Sequence, residues 1–417
     1  MSEDAAIEVR AVTEETLGAW CHAVNVGFLR AGAALGEEVR RQRLFPGRTL
    51  GAFEGDRVVA TLRSFPLQLT LPGGALLPVS GVSAVTTTQT HRRRGLLSRM
   101  MRQDLAAAKE RGEAVSILIA AEYAIYGRFG FGPATRAVGL EVDLKRAGGI
   151  RADLAGAVGG RLDLVSMAEL GTLGPDLHER WRRQQPGAIN RDEQYWNAVT
   201  GALVPPVSDG WNEPFALVHR DAAGQVTGLA VYQVKAHWDG VLPDCTVQVK
   251  DFLALDLPTA VTLWRYLTEV DWTTKVVVGN VGPDDPLPLL LTDPRAATVT
   301  ETGDFTWLRV LDVPAAFAAR GYAGPGRVVL EVADPDGYAA GRWALEVAAD
   351  GTGRAERTLD EPDLALSASA LGTLYLGAES AARLAGAALV RELRPGAAFA
   401  LDRLLGTALK AWNPDVF

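Results

Sequence analysis

The segment from Gly81 to Leu97 constrains the fold of this chain most, because it changes from strand to helix across one basic turn. It reads as a β-strand, a turn of three arginines that ends at Gly95, and a helix from Leu96 to Arg111. The helix carries one broad apolar stripe: Leu96, Leu97, Met100, Met101, Leu105 and Ala108. A helix start with free backbone N–H groups beside positive charge is a candidate anion site.

The pyrophosphate of a coenzyme A molecule is one anion that would fit this turn. A solvated surface turn is the alternative interpretation of the motif taken alone. Nucleic-acid binding is disfavoured, because the basic run is short and the chain carries a formal net charge of -8.

A second informative stretch begins with a buried strand over Ala114 to Ala121. Two tyrosines, two phenylalanines and three glycines follow within residues 122–134. Ligands in open α/β sheets bind beyond the carboxyl ends of strands, so this stretch is a candidate binding region. The alternative is that these aromatic side chains fill the core.

Together these motifs resemble the Eis (enhanced intracellular survival) family of acetyltransferases. The spacing Arg92-x-x-Gly95-x-Leu97 is similar to the Arg/Gln-x-x-Gly-x-Gly/Ala signature of GNAT N-acetyltransferases, with Leu97 in place of the usual small residue. Further similar segments are residues 90–97, 125–135, 179–187, 285–293, 307–309 with 313–316, and 371–378, and the chain ends in Phe417. The resemblance covers essentially the whole length.

The resemblance implies a mixed α/β (α+β) fold with three parts. Residues 1–136 would be a catalytic GNAT domain, with the cofactor in a gap where the strands near Val85 and Ala120 splay apart. Residues 137–295 would be a degenerate GNAT-like domain, because the segment from Asp251 to Asp256 puts carboxylates where a pyrophosphate would sit. Residues 296–417 would be a sterol-carrier-protein-like α+β domain whose strands alternate as in an antiparallel sheet.

The same resemblance implies the site. Acetyl-CoA would be the cosubstrate, held by Val85, Thr86, Thr87, Arg92, Arg93, Arg94, Gly95, Leu96, Leu97 and Glu122. Tyr126 would be the general acid that protonates the leaving thiolate, with Tyr123 as the less favoured tyrosine. The terminal carboxylate of Phe417 would be the base, and Glu122 is a second acidic candidate.

Composition limits the remaining possibilities. Only Cys21 and Cys245 are present, which excludes a disulfide scaffold and a Cys-rich zinc site and favours a reducing cytoplasm. The five histidines are scattered without metal-ligand spacing, so no metal is expected. There is no signal-peptide pattern and no apolar run approaching the roughly 18 residues of a membrane span. No nucleic-acid or membrane partner is predicted, and family analogy implies a homo-hexamer.

The substrate is the least defined element. An acidic chain suits a cationic amine, and the resemblance implies broad N-acetylation of aminoglycosides and other primary amines. Candidates for the amine pocket are Asn25, Phe28, Glu37, Glu38 and Asp415. Two other functional classes remain open: a lipid or sterol carrier acting through the third domain, and a regulatory protein that senses acetyl-CoA without turnover.

Overall fold

The computed structural model describes residues 7–30, 40–41, 44–157, 160–203 and 211–417. The strands of the N-terminal region are β1 (Glu8–Ala11), β2 (Thr49–Glu54), β3 (Arg57–Thr70), β4 (Leu76–Thr87), β5 (Val115–Ile119) and β6 (Gly132–Pro133). Its helices are α1 (Glu14–Gly27), α2 (Leu96–Glu110) and α3 (Tyr123–Tyr126). The predicted helix after Gly95 is confirmed, and its apolar stripe is buried at Met100, Met101, Leu105 and Ala108.

The central region continues the pattern of strands with covering helices. Its strands are β7 (Arg136–Asp143), β8 (Arg161–Val165), β9 (Phe215–Arg220), β10 (Val226–Lys235), β11 (Trp238–Asp239), β12 (Leu242–Pro243), β13 (Cys245–Ala254), β14 (Thr273–Val281), β15 (Ala297–Asp304) and β16 (Thr306–Val310). Its helices are α4 (Leu144–Ala147), α5 (Met167–Arg182), α6 (Glu193–Val199), α7 (Leu257–Thr268) and α8 (Leu287–Leu290). The sequence predicts a hairpin around residues 221–224, and a strand, a helix and a strand over residues 246–255, 258–269 and 274–279. Both predictions are confirmed, as the β9–β10 hairpin and the β13–α7–β14 unit.

The C-terminal region is a smaller α+β unit. Its elements are α9 (Val313–Ala319), β17 (Gly326–Ala333), β18 (Gly341–Val347), β19 (Gly353–Arg357), β20 (Leu364–Ser367), α10 (Ala368–Tyr375), α11 (Ala381–Gly386), β21 (Val390–Glu392) and α12 (Ala397–Leu405). Its apolar side chains pack into one core with side chains of β3, β4, β5 and β16. The alternation of this region therefore serves core packing.

Two seven-stranded sheets and one five-stranded sheet organise these elements. The orders are β1-β2-β3-β4-β5-β16-β6, β15-β7-β14-β13-β10-β9-β8 and β19-β18-β17-β20-β21. The third sheet is mixed, because β17 pairs with β20 in parallel. The strands that the sequence predicts over Arg327 to Val332 and Arg342 to Val347 do pair antiparallel, as β17 and β18. The parallel pairing with β20 follows from a crossover that alternation along single strands does not encode.

Strands β15 and β16 connect the regions. Both follow the sequence boundary at residues 295/296, yet β15 pairs with β7 in the second sheet and β16 pairs with β5 in the first. Buried Trp307 and Leu308 of β16 join the cores on the two faces of the first sheet. The alternation of Phe305 to Leu311 predicts a strand of the third region beside those over residues 327–332 and 342–347. This prediction was wrong about the sheet, because the strand completes the core of the first sheet.

Among the described residues, no helix has the length and apolar character needed to cross a bilayer.

Candidate functional site

The predicted opening between two parallel strands of the first sheet begins where β4 and β5 stop pairing. The pairing of β4 with β5 ends where Val82 stands opposite Leu118. Beyond that pair β4 continues to Thr87, whereas β5 ends at Ile119. The strands therefore separate where the sequence predicted the splay, and the gap lies beyond the carboxyl end of β5.

A β-bulge in β4 shapes one wall of this opening. The register of β3 against β4 shifts between Thr61 and Arg63, so that two residues of β4, Ala84 and Val85, stand opposite the single residue Leu62 of β3. Ala84 has a φ of 52°, so the backbone turns sharply there. A bulge changes the direction of the backbone beside it, and the Val85 amide here lies beyond the last residue of β4 that pairs with β5.

The neighbouring threonines contribute differently from what the sequence suggested. Thr86 is buried, and its hydroxyl lies 2.7 Å from the hydroxyl of Thr61. Gly27 of α1 packs so closely that a Cβ there would come within 2.3 Å of the Thr86 Cβ. The Thr86 side chain therefore faces α1 and β3, and only its backbone borders the splay. Thr87 is half-buried.

The turn before α2 presents backbone donors and positive charge together. Gly95 is the N-cap residue with a φ of 73°, and no side chain caps the helix. The first N–H groups of α2 therefore have no capping partner from a side chain. Arg92, Arg93 and Arg94 are exposed beside them, and Arg93 also has a positive φ of 64°. This arrangement fits a pyrophosphate, which needs several donors and cations at close range.

Leu96 and Leu97 have a structural part in this turn. Leu96 is buried in the core of the first region, and half-buried Leu97 packs against the same core. Their side chains anchor the start of α2, so only their backbone amides face an anion at the turn.

The corresponding helix of the second region, α7, begins with a side-chain cap. Asp256 is the N-cap residue of α7, and its carboxylate accepts a 2.8 Å hydrogen bond from the Thr259 amide. The Asp256 carboxylate thus occupies the positively polarised N-terminus of α7, whereas no side chain caps the N-terminus of α2. The prediction of a degenerate second GNAT-like domain rests on this difference in capping.

Tyr126 ends the short helix α3 behind the tip of β5. It is buried in the apolar cluster that Val85 and Ala120 also contact, and its ring meets Phe131 edge-on at 6.4 Å. Burial, and then the negative charge of Glu122, raise the pKa of Tyr126 to about 12. Its phenol is therefore protonated at neutral pH, as a proton donor requires.

The two alternative residues near Tyr126 are both exposed. Glu122 is the N-cap residue of α3, and its side chain faces solvent. Tyr123 is 65% exposed and stacks edge-on against Trp307 at 4.9 Å. Neither is enclosed as Tyr126 is.

The end of the chain reaches the same opening. Ser83 follows Val82, the last residue of β4 that pairs with β5. Its hydroxyl donates a 3.2 Å hydrogen bond to a terminal carboxylate oxygen of Phe417. The Phe417 ring packs edge-on against Phe65 with centroids 6.1 Å apart. The terminal carboxylate is thus held at the base of the splay, beside the bulge at Ala84 and Val85.

The last residues are fixed by bonds to the central region. The Trp412 amide donates to the Pro186 carbonyl at 2.8 Å, and the Trp412 indole donates to Asn280 at 2.7 Å. Buried Asn413 donates to the Thr306 hydroxyl and to the Asp415 carbonyl. We call residues 411–417 the C-terminal tail.

A buried arginine fixes the tail near its end. Arg191 bonds Asp415 at 2.8 to 3.1 Å and Asp251 at 2.6 and 3.0 Å. Its side chain is only 1% exposed, and those of both carboxylates are below 10%. One guanidinium therefore ties the tail to strand β13 in a place shielded from water.

The amine-pocket candidates do not form one group. Glu37 and Glu38 lie outside the described residues. Asn25 is buried and accepts a hydrogen bond from Arg40, whereas Phe28 is 44% exposed. The Asp415 carboxylate is engaged by Arg191, so it is not an available acidic group.

Sequence reasoning missed Ser83 and Arg191. Ser83 lies inside the quoted strand motif, but no local pattern distinguishes it. Arg191 gains its partners only through contacts with residues 60 and 224 positions away.

Family models match a segment of each of the three regions. An acetyltransferase (GNAT) domain model matches residues 8–134, a second one matches residues 187–310, and a sterol carrier protein domain model matches residues 313–414.

Full-length relatives agree with this division. An uncharacterised N-acetyltransferase of Streptomyces avermitilis is 48% identical over 420 residues, covering 100% of both chains. N-acetyltransferase Eis of Mycobacterium tuberculosis is 38% identical over 370 residues, covering 86% of this chain and 87% of that protein. The crystal structure of Eis1 from Mycobacterium abscessus superposes with a TM-score of 0.85 at 30% identity, covering 98% of this chain and 100% of Eis1. The chain therefore belongs to the Eis family of GNAT N-acetyltransferases.

Proposed function

We propose that this Eis-family enzyme transfers an acetyl group from acetyl-CoA to primary amines of cationic substrates such as aminoglycosides, at one or several positions, within a ternary complex. The observation that carries the proposal is the docking of the Phe417 carboxylate on Ser83, at the base of the first-domain splay. A chain end is ordinarily loose, so a terminal carboxylate held in a cleft indicates a specific task.

Binding of acetyl-CoA is proposed at the first splay only. The uncapped start of α2 and the three arginines would hold the pyrophosphate, and the Val85 amide would polarise the thioester carbonyl. Among the candidates, Thr86, Leu96 and Leu97 would contribute backbone groups, because their side chains pack into the protein.

Two groups of this chain would move the protons. The terminal carboxylate of Phe417 would accept the proton that the attacking nitrogen loses. The Tyr126 hydroxyl would give its proton to the thiolate as the carbon–sulfur bond breaks. The high pKa of Tyr126 keeps that proton in place until the sulfur becomes basic.

The amine preference is proposed from charge. The formal net charge of -8 favours the approach of a cationic substrate. Cytoplasmic location remains a prediction from the low cysteine content, and a homo-hexamer remains a prediction from the family resemblance. Light scattering of the purified chain measures the oligomeric state.

The test combines a substrate screen with changes at the chain end. A panel of aminoglycosides and simple primary amines is incubated with acetyl-CoA, and products are identified by mass spectrometry. One added C-terminal glycine shifts the carboxylate by about 3.5 Å and should lower kcat by about 10²-fold without changing the Kd for acetyl-CoA. The control Phe417→Leu keeps a terminal carboxylate in register and should retain most of the activity.

Three results would contradict the proposal. Wild-type turnover by the glycine-extended enzyme would remove the terminal carboxylate from the mechanism. Acetyl-CoA binding without turnover on any amine would favour the sensor alternative. A tightly bound lipid with no acetyl-CoA binding would favour the carrier alternative.

A further inference from the structure

A second cleft, of about 650 Å³, lies in the central region where β13 and β14 separate. Their parallel pairing ends with Val249 opposite Val278, and both strands then continue apart. The walls come from these strands, from α7 and from the C-terminal tail. This is the position that the donor cleft occupies in the first domain, and the volume suits a small organic molecule.

The cleft does not suit an anion. Asp256 lines it and places a carboxylate on the N-terminus of α7, where phosphate oxygens would otherwise bind. Its carboxylate already accepts the Thr259 amide at 2.8 Å. A phosphate there would meet negative charge and an occupied donor.

The ionised groups of the lining favour a cation. The lining contains five carboxylates and two cationic side chains: Asp251, Asp256, Asp284, Asp285 and Asp415, with Arg191 and Lys250. Arg191 is already shared by Asp251 and Asp415. The lining thus retains a clear excess of negative charge after its internal pairing.

Asp285 is the carboxylate best placed to receive that cation. It accepts the Leu287 amide at 2.9 Å, and none of the ion pairs among the described residues includes it. Burial, partly offset by this bond and reinforced by the charge of Asp284, raises the pKa of Asp285 to about 6. A cation beside Asp285 would offset the free-energy cost of ionising this carboxyl group.

Aromatic side chains supply the apolar part of the lining. Phe252 and Trp264 stack with centroids 4.4 Å apart, and Trp181 meets Trp412 edge-on at 5.7 Å. All four line the cleft. Asp284 and Asp285 each accept a backbone amide, but neither belongs to an ion pair among the described residues. Aromatic faces beside such carboxylates form the combination that binds organic ammonium ions through cation–π contacts and charge.

We propose that this cleft binds an organic cation with an apolar or aromatic body, its ammonium group at Asp284 and Asp285 and its body against the half-buried rings of Phe252 and Trp412. The site is separate from the acetyl-transfer site of the first domain. The C-terminal tail contributes to both sites, because Trp412 and Pro414 line the cleft and Phe417 reaches Ser83 in the first domain.

The test uses a probe that cannot be acetylated. Benzyltrimethylammonium has no N–H group, so its binding is independent of turnover. Calorimetry on the full chain should detect binding of this cation, weaker binding of neutral benzyl alcohol, and none of benzoate.

Variants then place the probe in this cleft. Gly279 lines the cleft, and a Cβ added there meets no atom within 4 Å, so Gly279→Trp should fill the space in a folded protein. It should abolish probe binding, and Asp285→Asn should weaken binding by about tenfold. Gly386→Trp is the matched control, because that exposed position in α11 is equally open and lies away from the cleft.

The proposal is overturned if wild-type protein shows no binding at millimolar probe, if benzoate binds as well as the cation, or if Gly279→Trp binds like the control. Thermal unfolding of each variant confirms that it is folded. Acetylation by the wild-type enzyme is measured separately, so loss of either proposal leaves the other testable.

Discussion

Replacing Asp415 by asparagine should release the end of the tail and slow acetyl transfer without weakening acetyl-CoA binding. Removing one partner of a buried ion pair costs about 3–5 kcal/mol. The cost here should be near the lower end, about 3 kcal/mol, because Asp251 still neutralises Arg191. The upstream bonds of Trp412 and Asn413 remain, so only the last residues are freed.

The expected magnitude follows from this energy. Each 1.4 kcal/mol changes an equilibrium constant tenfold, so about 3 kcal/mol lowers the docked population of Phe417 by up to about 10²-fold. We therefore expect kcat to fall by about 10- to 10²-fold in Asp415→Asn. The Kd for acetyl-CoA should not change, since the bonds that hold the tail are made by Ser83, Arg191 and Asn280 and not by the turn at Gly95.

Asp251→Asn is the matched control. It removes the other carboxylate from the same guanidinium but leaves the Arg191–Asp415 bonds in place. It should cost similar stability and retain most of kcat. Steady-state kinetics, calorimetry with acetyl-CoA and carboxypeptidase digestion of the chain end measure the three effects.

Two outcomes would refute this reasoning. If carboxypeptidase removes the end of Asp415→Asn readily while its kcat stays at the wild-type value, the docked carboxylate has no catalytic part. If both variants lose kcat equally, general destabilisation explains the loss.

Three further variants test other parts of the site and fold. Tyr126→Phe keeps the ring packing but removes the donated proton, so kcat should fall by about 10²–10⁴-fold with little change in KM for acetyl-CoA; a change within twofold, with chemistry rate-limiting, excludes the role. Gly95→Asp should weaken acetyl-CoA binding far more in calorimetry than Gly95→Asn, which has the same size and tolerance of positive φ; equal affinities would misplace the pyrophosphate. Burial raises the pKa of Asp104 to about 6, above its unfolded value of 3.8. Stability should therefore fall by up to about 3 kcal/mol as the pH rises from 4 to 6, and denaturant unfolding of Asp104→Asn should lack that slope.

The sequence determined the elements that depend on neighbouring residues. The strand, basic turn and helix from Gly81 to Glu110 follow from alternation, a glycine and a periodic apolar stripe, all within one short segment. The confirmed hairpin β9–β10 and the unit β13–α7–β14 have the same local origin. Asp256 before α7 likewise shows from the sequence alone that the second helix start carries a carboxylate.

The tertiary structure decided what joins distant segments. Ser83 and Phe417 are 334 residues apart, and Arg191 and Asp415 are 224 apart, so no spacing rule links them. Strand β16 belongs to the first sheet because its buried side chains complete that core, although the sequence predicted it as part of the third domain. The second cleft likewise exists only where β13 and β14 diverge under the tail, because its walls come from segments that meet only after folding.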